Sequence, residues 1–206
     1  MANSTSTSPR ESISEKLPAA HVNPAPLAFG AFAGTTFILS WVNAGQISLA
    51  ALGGAMATAW IFGGVIQILV GFWHFRNNEL FPAVTFASFG AFWVSFAFFG
   101  TFYLSKIPLS AQGTATALFL FPWAVFSLYM LIGSLRVSIA VFVAFLLVEG
   151  TLIPLIIGQA TGNLTDIHVG GWFGVALAIE VWYIAAAEVI NHQFGRRFLP
   201  LGHLGK

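Results

Sequence analysis

The chain has 206 residues, of which 57% are hydrophobic and only 7% charged, with a formal net charge of +1 and a mean hydropathy of +0.84. A soluble domain carries roughly 25% charged residues, so this composition excludes a water-soluble fold, and the scattered charges leave no basic stripe for nucleic acid. The absence of cysteine excludes disulfides, thiolate catalysis and cysteine-held metal or haem.

The opening MANSTSTSPRESISEKLPAA is polar, rich in Ser and Thr and without an apolar stretch. It reads as a disordered tail over residues 1–22 and not as a signal peptide. Then comes HVNPAPLAFG, His21 to Gly30, where the first apolar run begins. Asn23 suits a helix N-cap, Pro24 the first helical position and Pro26 the first turn. The result is a stiff helix start whose positive dipole end either receives an anion or simply begins the helix.

Hydropathy and breakers predict helical spans over residues 27–42, 49–75, 83–104, 114–135, 137–158 and 169–190. Most reach the length of about 20 residues that a bilayer requires. The intervening pieces VNAGQIS, HFRNNELFP, SKIPLSAQ, SLRVS and GQATGNLTD are too short for a soluble domain. The expected fold is an all-α membrane protein with six transmembrane helices in one bundle over residues 23–192, and a C-terminal tail over residues 193–206. Basic residues set the orientation: Arg10, Lys16, Arg76, Arg136, Arg196, Arg197 and Lys206 fall on one side and only Lys106 on the other. Both termini are therefore expected in the cytoplasm.

Glycines recur at helix-contact spacing: Gly30 and Gly34 in the first span, Gly53-Gly54 and Gly63-Gly64 in the second, Gly170 and Gly174 in the sixth. Tight packing between helices is the expected reason. Pro122 and Pro154 lie inside spans and free the carbonyls of Leu118 and Gly150. Asn43, Thr35, Thr36 and Gln67 are neutral polar groups suited either to a pore wall or to helix–helix hydrogen bonds.

Glu149 and Glu180 each fall near the middle of a span, with no lysine or arginine at that depth. A charge there costs about 2.5–3.5 kcal/mol on insertion scales, so both are expected to face the bundle interior, each other or a shared cavity. At least one is expected to carry a proton near neutrality, which makes the pair proton-handling candidates. The alternative is a neutral carboxylic acid bonded to a carbonyl such as that of Gly150. Glu188, two turns beyond Glu180, is expected to pair with Arg136, Arg196 or Arg197 near the membrane face.

NPAPLAFG resembles the NPAPLG signature that opens the first span in the acetate uptake transporter family, the succinate–acetate permeases. Gly34-Thr35-Thr36, Phe62-Gly63-Gly64 with Gln67, ASFGAFW at Ala87 to Trp93 and AEVINHQFGRRFLPLG at Ala187 to Gly202 resemble further family segments in the family's order. The resemblance spans residues 23–202. It implies a homo-hexamer of six-helix protomers in a lipid bilayer, each with its own pore for acetate and related small carboxylates, without cofactor or metal. It implies a hydrophobic constriction at Phe32, Phe89 and Val148, while the helix start Asn23, Pro24 and Pro26 and the polar Thr35, Thr36 and Gln67 are the expected substrate contacts. Phe89 stands where the family usually has tyrosine, and Ala28 where the signature has glycine.

Three rival readings have less support. An NPA-type water or glycerol channel needs a second NPA inside the bilayer, and this chain has one, ahead of the first span. A membrane protease needs an intramembrane nucleophile–histidine pair or clustered histidines, but His74, His168, His192 and His203 fall at span ends or beyond and His21 in the tail. A sensor or scaffold without transport shares the same sequence features. The reading is a carboxylate permease of the cytoplasmic membrane and not an enzyme, with proton symport favoured over a channel by the two mid-span glutamates.

Overall fold

The structure, a computed structural model, describes residues 22–203. His21, Arg10, Lys16, Lys206 and all but the last residue of the expected N-terminal tail lie outside the described residues. Six helices are long and apolar enough to cross a membrane: Ala25–Asn43, Leu49–Arg76, Leu80–Lys106, Leu109–Ser134, Ile139–Thr161 and Leu164–Phe194. Each expected span is present and longer by one to five residues at one end or both, except that the fourth ends one residue earlier and the fifth begins two residues later than expected. Polar or amphipathic residues such as Asn43, Arg76 and His192 extend the helices past the apolar run that hydropathy detects.

Two spans are not uniform α-helix. The second consists of a 3-10 turn Leu49–Ala51, α2 (Leu52–Trp60), a π-helical segment Ile61–Ile66 and α3 (Gln67–Arg76). The third is α4 (Leu80–Phe98) followed by a π-helical segment Phe99–Tyr103. The other spans are α1 (Ala25–Asn43), α5 (Leu109–Ser134), α6 (Ile139–Thr161) and α7 (Leu164–Phe194). Pro122 and Pro154 sit inside α5 and α6 without ending them.

α7 is the hub: it packs along α1 on one side and α6 on the other, α6 packs on α5, and α3 packs on α4. Small residues set this closeness. A Cβ at Gly171 would strike the backbone of Asn43 and Ala44, one at Gly174 the Ser40 side chain, and one at Gly170 the Leu155 side chain at 2.7 Å. The paired glycines of the first span behave otherwise. A Cβ at Gly30 would meet nothing within 4 Å and one at Gly34 only the Phe62 ring at 3.5 Å, so that motif is not a close helix seam within the protomer. Gly53 and Gly54 are likewise open. The seam between the third span and α5 is filled by rings, with Phe92 of α4 against Trp123 at 5.3 Å and Phe99 of the π-helical segment against Phe119 at 5.2 Å.

Helix ends follow local chemistry. Ser138 Oγ accepts from Val141 N at the start of α6, and Asn163 Oδ1 accepts from Thr165 N at the start of α7. α6 and α7 stop at Gly162 and Gly195, with φ of 73° and 60°, a left-handed conformation that glycine adopts without steric cost. The chain then turns back onto the bundle. Ile139 N donates to Gly202 O at 2.9 Å and Ala140 N to Leu201 O at 3.2 Å, so this segment satisfies N–H groups that every helix start leaves without partners. Asn191 holds it there: Oδ1 accepts from Phe198 N and Leu199 N at 2.7 and 2.8 Å, while Nδ2 donates to Leu199 O at 2.8 Å.

The glycine contacts generate a prediction. Gly171→Ala forces a methyl into the Asn43–Ala44 backbone and is expected to destabilise the detergent-solubilised protein by about 1–3 kcal/mol, the usual cost of overpacking. Gly30→Ala, facing open space, is expected to leave the melting temperature of the protomer near wild type. Thermal melts of the two variants check the contrast.

Candidate functional site

Two chambers lie inside the bundle. The larger, about 290 Å³, is bounded by the second half of α1, α2, the ends of α4 and α6 and the start of α5. It therefore lies toward the end of the bundle away from the termini. The smaller, about 40 Å³, is bounded by Phe29, Gln67, Thr85, Phe86, Val141 and Phe145, among others, and lies toward the termini. It holds little more than the roughly 30 Å³ share of one water.

Four side chains are common to both walls: Phe32, Phe89, Val148 and Leu177. All four are buried. Phe32 and Phe89 meet edge to face with centroids 5.2 Å apart, and further rings back the pair: Trp93 against Phe32 at 6.3 Å and Phe126 against Phe89 at 5.3 Å. Such contacts each add about 0.5–1.5 kcal/mol beyond area burial. The four residues come from α1, α4, α6 and α7 and form an apolar partition between the chambers. No charged side chain lines either chamber.

The residues singled out in the sequence fall in different places. Phe32, Phe89 and Val148 meet in the partition, Thr36 and Asn43 line the larger chamber, and Gln67 lines the smaller. Thr36 Oγ1 is buried without a partner. Thr35 lines neither chamber. It donates to Ala31 O at 2.9 Å and packs where Gly63 leaves room, since a Cβ at Gly63 would stand 2.6 Å from Thr35 Oγ1.

Asn23, Pro24 and Pro26 also line neither chamber. Asn23 Oδ1 accepts from Ala25 N at 2.9 Å in the turn ahead of α1, whose N-cap position is Pro24 and not, as expected, Asn23, and Asn23 Nδ2 donates to Glu188 Oε2 at 3.1 Å. Glu188 thus finds Asn23 and not an arginine. Among the described residues the one acidic and basic side-chain pair within 4.0 Å is His74 Nδ1 and Glu79 Oε2, at 2.6 Å. The amide at the start of α1 reaches Glu188 because α1 and α7 run side by side.

Glu149 and Glu180 do not face each other and line neither chamber. Glu149 is buried, turned to α5, and accepts a hydrogen bond from Ser127 Oγ rather than sharing the Gly150 carbonyl. Glu180 is half-buried and makes no side-chain hydrogen bond among the described residues. The reason is rotation. Phe173, two turns before Glu180 on the same face of α7, abuts Gly150 of α6, and Glu149 points about 100° away around that helix.

Three features escaped the sequence reading. Leu177 completes the partition, and Trp93, lining the larger chamber, has a buried Nε1 without a partner. The third is the π-helical segment before Gln67, whose only trace in the sequence is the glycine pair of IFGGVI. The small-residue face of α7 marks its inner side, and Val175, Leu177, Val181 and Ile184 are the large buried residues between Gly174 and Ala187, of which Leu177 lines both chambers.

Comparison with known proteins bears on this arrangement. The profile of the GPR1/FUN34/yaaH family matches residues 7–204. The chain is 32% identical over 182 residues to the succinate-acetate/proton symporter SatP of Escherichia coli, covering 87% of this chain and 95% of that protein. It is 32% identical over 196 residues to acetate permease A of Emericella nidulans, covering 88% of this chain and 66% of that one. A solved structure of the bacterial acetate channel SatP superposes with a TM-score of 0.82 at 31% identity, covering 88% of this chain and 99% of that one. The match over nearly the whole chain makes this multi-pass membrane protein a member of the GPR1/FUN34/yaaH family.

Proposed function

We propose that the protein is a permease that carries acetate and related small carboxylates through a path inside each protomer, across the Phe32–Phe89–Val148–Leu177 partition. The observation that supports this most is the pair of chambers separated by one apolar layer in a wall free of charged groups. The family relatives named for acetate and succinate transport supply the substrate class. A small carboxylate fits the larger chamber, and a macromolecule does not. The partition is closed, so passage requires its rings to move.

The orientation with both termini in the cytoplasm belongs to this reading. It is supported by Arg76, Arg136, Arg196 and Arg197, all at the end that holds the described chain ends, against Lys106 at the other. A homo-hexamer is supported by the exposed apolar side chains, among them Leu118, Phe121 and Leu128 of α5, and by the open glycines Gly30, Gly53 and Gly54. The assignment of Thr36 and Gln67 to substrate contact is supported by their places on the chamber walls. Residues 23–192 then form the permease domain, flanked by two tails.

Radiolabelled acetate uptake into liposomes holding the purified protein tests the reading. Uptake well above that of protein-free liposomes is expected; uptake at the protein-free level would favour a sensor or scaffold. Phe32→Ala removes one ring of the partition, so the succinate-to-acetate uptake ratio is expected to rise. The substitution carries about 3–5 kcal/mol of core destabilisation, so the ratio is read on protein that still elutes as wild type. An unchanged ratio would count against Phe32 as part of the narrowest point.

Proton handling by Glu149 or Glu180 is tested separately. Ser127 has one hydroxyl proton and two acceptors in reach, Ala124 O at 3.2 Å and Glu149 Oε1; a proton on Glu149 would let both bonds form. Since neither glutamate reaches a chamber, Glu149→Gln and Glu180→Gln are each expected to keep the wild-type pH profile of uptake at fixed acetate-anion concentration. A displaced profile in either variant would place that carboxyl on the proton path.

A further inference from the structure

The turn that follows α7 carries charge that nothing nearby compensates. The 31 residues of α7 rise about 46 Å, close to the roughly 40–45 Å of a bilayer with its headgroups. Phe194 therefore ends the helix at the level of the headgroups. The chain reverses at Gly195, whose φ is 60°, and Phe198 N donates to Arg196 O at 2.9 Å. Phe198 thus comes back beside Phe194, and the two rings stack with centroids 5.4 Å apart. Arg196 and Arg197 form the tip of the turn, and both arginines and both rings are exposed.

Neither guanidinium lies within 4.0 Å of a carboxylate among the described residues. The described acidic groups at this end, Glu79 and Glu188, are engaged by His74 and Asn23. Arg196 stands 5.8 Å over the Phe198 ring, a cation–π contact that holds the group at the turn and uses none of its N–H donors. Two arginines beyond a pair of exposed rings, at headgroup depth, have the order of a segment lying in the membrane interface. A second copy in the same orientation would bring to this level, among the described residues, the exposed Glu79 alone, and His74 already holds it. A phosphate matches the guanidinium fork, and an anionic phospholipid brings one without a cation of its own.

We infer that the turn between Phe194 and Phe198 is a binding site for an anionic phospholipid, its phosphate held by Arg196 and Arg197, and that the bound lipid steadies the start of α6. The lipid site stands on the turn itself. Its effect on flux rests on the permease reading.

The coupling runs through the segment that continues from the turn. Asn191 fastens Phe198 and Leu199 to α7, and Tyr183 Oη donates to Pro200 O at 2.6 Å. Leu201 is buried in the core and its carbonyl accepts from Ala140 N, while Ser138 pairs with His203. Val141, one residue further along α6, lines the smaller chamber. A lipid that fixes the turn therefore fixes the segment that caps α6, three residues or fewer from the chamber wall.

Native mass spectrometry of the full-length protein in neutral detergent, titrated with phosphatidylglycerol or with phosphatidylcholine of the same acyl chains, reads the site directly. Preferential uptake of phosphatidylglycerol is expected. The double variant Arg196→Gln/Arg197→Gln is expected to weaken it about thirtyfold, the factor two arginines carry at an anionic surface. Arg76→Gln, on the turn between α3 and α4, is expected to leave it unchanged; Arg196→Ala/Arg197→Ala replaces the double glutamine variant if that does not elute as wild type. Equal retention of the two lipids, or undiminished phosphatidylglycerol binding in the double variant, would overturn the site. Displacement of the lipid by an equal concentration of inorganic phosphate would overturn its assignment to a lipid. Radiolabelled acetate flux is then compared in phosphatidylcholine liposomes with and without phosphatidylglycerol. Faster flux with the anionic lipid is expected for the wild type and not for the double variant. Binding with no response in flux would overturn the coupling to α6. Absence of protein-dependent flux in both liposomes would overturn the permease reading and leave the lipid site standing.

Discussion

The edge-to-face contact of Phe32 and Phe89 decides what the rest of the bundle achieves. With these rings 5.2 Å apart and Val148 and Leu177 closing the remaining sides, the interior is two chambers and not one channel. Phe89 has no hydroxyl, so nothing in the layer can hold a carboxylate by a hydrogen bond. The barrier is one of desolvation and ring packing, backed by Trp93, Phe126 and Phe145. Such a layer offers water no more hydrogen bonding than it offers an ion.

Those rings are held at that spacing by helices that approach closely only where side chains are missing. Gly170, Gly171 and Gly174 let α7 lie against α6 and α1 at backbone distance, and Gly71 and Gly90 do the same for α3 and α4. In a bilayer there is no hydrophobic gain from bringing two helices together, so such packing and a few hydrogen bonds must supply the association. The hydrogen bonds sit mainly at the ends: Asn23 to Glu188 between α1 and α7, and the returning C-terminal segment that Asn191 fastens over the start of α6. Ser127 and Glu149 are the exception, joining α5 to α6 deep inside the bundle.

Much of this could be read from the sequence, for identifiable reasons. Six apolar runs and their breakers gave the spans because hydropathy is a local property. The resemblance brought Phe32, Phe89 and Val148 to attention together, although they come from three different helices. What stayed hidden depended on rotation and on distance along the chain. A one-residue step turns a side chain by about 100°, so the depth of Glu149 and Glu180 was legible and their directions were not. The bond between Asn23 and Glu188 joins residues 165 apart, and the arginines near Glu188 in sequence made the more obvious partners. Leu177 is an apolar residue in an apolar span, distinguished only by its place among small neighbours. The π-helical turn ahead of Gln67 has no dependable sequence signal beyond its glycines.

The central claim is that one apolar layer separates the two chambers, and the absence of cysteine from the chain makes it directly measurable. Single cysteines at Thr116, on the larger chamber, and at Val141, on the smaller, can be probed with silver ion applied to one side of oriented membranes at a time. The account predicts that each reacts from one side only, the two from opposite sides, and that adding Phe32→Ala makes both reachable from either side. Reaction of both positions from the same side with Phe32 intact would contradict it.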